Sequence, residues 1–267
     1  TADHSTGGLT IGANGDYRWS PEHLKSMSAS VMTIALNMAN EGEDAISHTQ
    51  TKAQGTLKIN AAMAFGRLHL APIISEFLQQ YPEIQINMVM DDKVVDMVAG
   101  GFDLAIRIGE LPDSSLVAKK LVDCHSVLCA APSYLVQQAL PHIPQDLSQH
   151  NCLFYSYFQA GVEWRLKGKT GWESVLPQGN YQVNNSEALY TAMLNGLGVC
   201  QMPTFIVGDA IADGRLQTLL PDYQLPKHGI YAVFSQRKYQ PEKVKVFINF
   251  LHEKLQQAQR QWDRGLV

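Results

Sequence analysis

The chain has 267 residues with 45% hydrophobic and 17% charged side chains, enough to bury a sizeable core and too apolar to be disordered or fibrous. Lys and Arg total 21 against 25 Asp and Glu, a formal net charge of -4, which excludes the strongly basic signature of an autonomous nucleic-acid binder. No stretch approaches the ~18 consecutive apolar residues of a spanning helix, and no basic run leads into an apolar core as in an export signal, so the reading is a cytoplasmic chain with no membrane partner. Cys124, Cys129, Cys152 and Cys200 form no C-x-x-C pair and read as buried small hydrophobes.

Residues 1–30 hold scattered glycines and polar residues and read as an atypical leader. From Val31, the positions Ile34, Ala35, Met38, Ala45 and Ile46 repeat at helical spacing with Asn37, Glu41 and Asp44 opposite, which predicts an amphipathic helix over 31–50. A stripe of this kind outside a core pairs with another helix, so Val31, Ile34, Met38 and Ile46 are the candidate oligomerisation residues.

After Gly55, Leu57, Ile59 and Ala61 alternate with polar residues as a strand. A loop at 62–66 then leads into a helix ending at Tyr81-Pro82. Ile84 to Met90 alternates as a second strand, Asp91 or Asp92 can cap a short helix carrying Val94, Val95 and Val98, and Phe102 to Ile108 is a third, near-continuous strand. Strand, helix, strand, helix, strand is the signature of a parallel sheet covered by helices. Leu116 to Ala131 reads extended, 132–138 and 145–149 read as short helices, and 152–158 reads as a strand. Further strands are expected over 172–185, then a helix from Ser186 stopped by Gly196 and Gly198. A short strand 199–202, a helix opened by Pro203, a strand 230–234 and a last helix from Gln240 to about Gln257 complete a second α/β unit. Two such units place a ligand cleft at their strand ends.

The chemistry-bearing motifs are negative. There is no G-x-S-x-G elbow, no H-E-x-x-H, no Walker pattern, and Gly196-Leu197-Gly198 lacks the third glycine of a dinucleotide fingerprint. Asp91-Asp92 has no neighbour in sequence to complete an acid/base mechanism and reads as helix-dipole chemistry. Catalytic, metal-ligating and cofactor-binding residues are therefore expected to be none. What survives is the turn Ala62-Met63-Ala64-Phe65-Gly66 from strand to helix, where free N–H groups favour a carboxylate or phosphate, although an ordinary βα turn looks the same.

Gly55-Thr-Leu-Lys-Ile, Phe65-Gly-Arg-Leu-His-Leu-Ala-Pro72, Phe102-Asp-Leu-Ala-Ile-Arg-Ile-Gly109, Asp113-Ser-Ser-Leu116 and Gly196-Leu-Gly-Val199, in this order, resemble the LysR-type transcriptional regulators over residues 31–257. The resemblance implies a periplasmic-binding-protein-like fold of type II, with two Rossmann-like subdomains joined by crossover strands near 127–130 and 230–234. The first subdomain would be 55–127 plus 234–257 and the second 128–233, preceded by the amphipathic linker helix. It implies a small-molecule effector between the subdomains, organic acids being the expected class, homodimer or homotetramer assembly, and transcription regulation through a DNA-binding domain. That winged helix-turn-helix cannot fit in the 30 residues before Val31. The family's pocket maps onto Ala62, Met63, Ala64 and Phe65, strand-end Arg107 and Ile108, crossover Leu128, a helix cap at Asn184, and Met202, Pro203, Thr204 and Phe205 on the far wall. Ala64 stands where related sequences carry a hydroxyl, so backbone donors, Arg107 or Thr204 would have to hold an anion. Arg107 fits either ligand contact or a structural ion pair. A free-standing binding protein of the same fold and a small-molecule enzyme remain the alternatives.

Overall fold

The computed structural model describes residues 9–11, 17–19 and 52–264, apart from 94, 98, 111–115, 158–160, 162 and 236–239. The chain divides into two units, Thr1–Lys52 and Ala53–Val267. In the first, β1 (Leu9–Ile11) pairs antiparallel with β2 (Tyr17–Trp19). The expected linker helix, with Val31, Ile34, Met38 and Ile46, lies outside the described residues.

The second unit begins with β3 (Gly55–Ala61), α1 (Met63–Phe65), a π-helical segment (Gly66–Leu70) and α2 (Ala71–Gln80). Then follow β4 (Ile84–Met90), β5 (Leu104–Gly109), β6 (Leu116–Cys124), β7 (Ser126–Ala130), α3 (Pro132–Leu135), a 3-10 turn (Pro144–Gln149) and β8 (Cys152–Tyr155). The hairpin β9 (Trp164–Gly168) and β10 (Gly171–Val175) precedes β11 (Tyr181–Val183), α4 (Ser186–Leu194), β12 (Val199–Pro203), α5 (Thr204–Ala212), β13 (Gln217–Leu219), β14 (His228–Ser235) and α6 (Glu242–Trp262).

Two five-stranded sheets result. The first runs β4-β3-β5-β14-β6 and the second β11-β8-β12-β7-β13. In sheet one, β3, β4 and β5 are parallel, as the strand-helix alternation requires, and β14 lies antiparallel between β5 and β6. Residues 228–233, assigned from sequence to the second subdomain, thus belong to sheet one. β7 lies wholly in sheet two and β14 in sheet one, so neither is itself a crossover; the chain passes over at His125 and returns through 220–227.

Both faces of sheet one are covered. Leu57, Ile59 and Ala61 are fully buried, yet so is Asn60, on the opposite pleat. Its amide is satisfied by donating to the Val89 carbonyl and accepting from Arg107. One face receives Phe77 of α2 and Phe247, Leu251 and Leu255 of α6. In sheet two, Leu128, Phe154 and Leu166 pack on the hairpin side, and Cys129, Met202 and Leu189 pack on the side of α4 and α5. All four cysteines are buried free thiols, and burial pushes Cys124 and Cys152 up to about 12.

The structure differs from the sequence reading at three places. The expected loop 62–66 is helical from Met63, because Asp92 Oδ1 accepts the Met63 N–H at 2.7 Å and caps the helix from the connection between β4 and β5. No helix forms among the described residues of 91–100; Val94 and Val98 lie outside them, and Asp91 turns the chain by accepting from the Lys93 N–H at 2.9 Å. Gly198 is more than a helix stop. Gly196 supplies the left-handed φ of +76°, whereas a Cβ on Gly198 would sit 2.1 Å from the Asn151 carbonyl oxygen, so glycine lets two backbones approach.

Candidate functional site

The parallel strands of both sheets end toward one another, and side chains at those ends meet. Met63 Sδ lies 3.1 Å from the Asn185 amide nitrogen, Arg67 pairs with Glu187, and His69 Nε2 lies 3.0 Å from the Phe205 carbonyl oxygen. Tyr155, at the end of β8, is held at Asp92. Burial, with the Asp92 charge beside it, pushes the Tyr155 phenol far above the ordinary tyrosine range, so it stays a donor.

The π-helical segment lets Arg67 and His69 both engage the second sheet's layer. π-turns inside helices are rare and gather at functional positions. Gly66 sets its start: a Cβ there would come within 2.8 Å of Met90 Sδ. His69 sits among the rings of Phe65, Phe205 and Trp262, 4.5 Å from the Trp262 ring. Burial lowers the pKa of His69, opposed by its bond to Phe205 and by the charge of Asp209.

Arg107 projects from β5 with Nη1 donating to Asn60 Oδ1 at 2.6 Å. Its Nη2 is buried with no hydrogen-bond partner. Burial lowers the guanidinium pKa while the Asp91 charge opposes that. Arg107 is therefore held by a neutral amide with one acidic residue nearby, leaving donor capacity that the described residues do not use.

The last turn of α6 closes the hinge side. Asp263 accepts from Thr204 Oγ1 at 2.6 Å, meets His125 Nδ1 at 2.9 Å and accepts from Gln259 Nε2 at 3.1 Å. Asp, His and Thr stand together, but the hydroxyl donates to the carboxylate and not to the imidazole, so the imidazole does not stand between them and the group is not a nucleophilic triad. Among the described residues no group of three or more His, Cys, Asp or Glu could hold a metal ion, and no helix is long and apolar enough to cross a membrane.

The sequence-predicted residues fall into three groups. Ala62, Met63 and Arg107 stand at the strand ends, with Ile108 next on β5. Ala64, Phe65, Thr204 and Phe205 are buried where the two layers meet, and Leu128 and Met202 are buried in the two faces of sheet two, with Pro203 at the start of α5. The helix cap is Asn185, whose Oδ1 accepts from the Ala188 N–H at 2.9 Å. Asn184, named as the cap from sequence, instead donates to the Tyr157 hydroxyl. Sequence reasoning missed Asp92 as a cap for the preceding helix, Tyr155, Glu187, and the contacts of His125, Asp263 and Trp262. Trp262 was legible: it lies one heptad beyond Leu255 on the same stripe.

Comparison with known proteins adds the following. The LysR substrate binding domain family matches residues 50–256. The HTH-type transcriptional regulator PtxR of Pseudomonas aeruginosa is 35% identical over 227 residues, 83% of this chain and 72% of its own length. The HTH-type transcriptional activator AaeR of Escherichia coli is 35% identical over 198 residues, 74% of this chain and 64% of its own. The regulatory domain of CrgA from Neisseria meningitidis superposes with a TM-score of 0.69 at 29% identity, covering 76% of this chain and 99% of that one. The regulatory domain of AphB from Vibrio vulnificus gives 0.61 at 29% identity, covering 74% and 98%.

Proposed function

We infer the function of this chain from its family: it belongs to the LysR-type transcriptional regulators, and residues 50–256 match the substrate-binding domain of such regulators. Its relatives are transcription regulators and not enzymes. We propose that a small organic acid binds between the ends of the two sheets and alters how they stand to each other. The observation that carries this reading is Arg107, whose buried Nη2 has a hydrogen-bonding capacity left unused beside the first βα turn. A carboxylate is the ligand group whose two oxygens match a guanidinium fork.

The helix start at Met63 contributes differently from the sequence expectation. Its N–H is held by Asp92, which also takes the Tyr155 hydroxyl, so an effector anion meets Arg107 rather than a bare helix end. Coupling of ~1–3 kcal/mol between effector and assembly suffices to switch transcription. DNA is engaged through a helix-turn-helix domain, the chain assembles as a homo-oligomer through the stripe Val31, Ile34, Met38 and Ile46, and it acts in the cytoplasm.

The test is a thermal-shift screen of the purified chain against organic acids, aromatic acids, amino acids and phosphosugars, with each hit recovered and checked for turnover. A ligand at 100 times its dissociation constant should stabilise by ~2.7 kcal/mol. Arg107→Gln should abolish the shift for acids while leaving the unliganded melt within a few degrees. A hit consumed chemically, or an acid whose shift is unchanged in Arg107→Gln, would overturn the proposal. Ile34→Glu with Met38→Glu should lower the oligomer mass in light scattering; an unchanged mass would remove the pairing claim.

A further inference from the structure

A cavity lies on the hinge side, apart from the strand ends that hold Arg107. It has a volume of about 370 Å³, within the range of small-molecule sites. Of the residues expected around the effector it shares only Leu128. Its walls are the crossing residue His125 and the return segment from Leu220 to Lys227, with the adjoining ends of β7 and β13 and Leu166 of β9. The return segment is tied to β9 by a backbone pair, Lys167 N–H to Gln224 O at 2.8 Å and Gln224 N–H to Lys167 O at 3.0 Å. Gly168 admits the Tyr223 ring, since a Cβ there would lie 2.8 Å from it.

Three observations specify what this cavity takes. First, its apolar lining is mainly aliphatic, with Leu128, Leu166, Leu219, Leu220 and Leu225 all buried and Tyr223 as the one phenol ring. Second, no Asp or Glu lines it, while Lys227 and His125 do. Burial and the nearby charges of Glu173 and Asp222 raise the Tyr223 pKa, so its hydroxyl remains a donor. Third, Leu220 has φ +50°, the sole non-glycine with positive φ among the described residues. A leucine in that region is strained, and such strain gathers where binding or switching occurs.

We propose that this hinge cavity is a second ligand site, selective for a small carboxylate with an aliphatic body of medium length, its chain among the leucines and its carboxylate at Lys227. A ligand there touches both interlobe connections at once. The proposal does not depend on what the strand-end cleft binds.

The probe is octanoate, with octanamide as its uncharged counterpart, measured by equilibrium dialysis against the full 267-residue chain. Octanoate should bind saturably at one site, and octanamide about tenfold more weakly. Lys227→Gln, at an exposed position and so neutral to folding, should weaken octanoate about tenfold and leave octanamide unchanged, since the charge pair is then already absent. Arg107→Gln should leave octanoate binding as it is. Non-saturable uptake into the millimolar range, equal losses for acid and amide in Lys227→Gln, or loss of octanoate in Arg107→Gln would each overturn the hinge site. The last result would place the acid in the strand-end cleft and leave the effector proposal standing.

Discussion

Replacing Asp263 by Ala should destabilise the effector-binding unit by ~3 kcal/mol. The Asp263 carboxylate is 13% exposed and its partner His125 19% exposed, so neither is a surface group whose pairing water would screen away. It makes three charge-assisted contacts, to Thr204, His125 and Gln259. Each bond of that kind is worth ~1.5–3 kcal/mol, but the losses do not add. Thr204 Oγ1 retains the His125 carbonyl at 3.3 Å and Gln259 retains the Asp123 carbonyl at 3.3 Å, whereas the His125 ring loses its partner. One full loss and two partial ones give ~3 kcal/mol, or a fall in Tm of ~6–12 °C for a unit of this size. Asp263→Asn keeps an acceptor for Thr204 and should cost about half as much. Urea unfolding monitored by tryptophan fluorescence gives the free energy directly, and Trp262, next in sequence to Asp263, should report the transition. A loss under about 1 kcal/mol in Asp263→Ala would show that the hinge is held by the aromatic contacts of Phe65, His69, Phe205 and Trp262 alone.

Gly198→Ala should cost ~2–3 kcal/mol by forcing β12 away from the Asn151 carbonyl; a change within ±0.5 kcal/mol in urea unfolding would refute the close approach. Breaking the Arg67–Glu187 pair should do little to stability, because Arg67 is 60% exposed; a double-mutant cycle should give less than about 1 kcal/mol, and a larger coupling would reveal a desolvated latch. His69 should make stability pH-dependent. Its folded pKa is depressed below the ordinary 6.5, so the unfolded chain binds the proton more readily. Stability is full above 6.5 and lost as pH falls through that value toward the folded pKa; burial also depresses His150, which acts in the same direction. His69→Gln should flatten, without abolishing, the slope of unfolding free energy between about pH 7.5 and 5, and an unchanged slope would contradict the burial of its charged form.

Much of the fold was legible because burial period and strand period coincide. Leu57, Ile59 and Ala61 alternate in the sequence and are buried in β3, and the apolar stripe from Val244 to Leu255 is the buried face of α6. Failures came where a distant residue decided local structure. The span 62–66 carries no N-cap side chain of its own, so nothing local signals a helix start at Met63; the cap arrives from Asp92, 29 residues later in sequence. Asn185 and Asn184 offer the same cap chemistry side by side, and only the bond to Ala188 N–H separates them.

The site was less legible than the fold, for a related reason. A strand-end position can be predicted from pattern, but what a side chain meets there is set by the other sheet. Arg107 was read as bound either to a ligand or to an acid; its direct partner is the amide of Asn60, a core strand residue whose burial no period-2 pattern could flag. Thr204 was a candidate anion donor, yet its hydroxyl is committed to Asp263, which lies beyond the end expected for the last helix. With Thr204 committed and the helix start at Met63 satisfied by Asp92, Arg107 is the predicted position whose donor capacity is left over. Specificity for an acid then rests on one guanidinium at the end of β5. An acid-specific thermal shift should accordingly be lost in Arg107→Gln and kept in Thr204→Val, although the second variant melts lower.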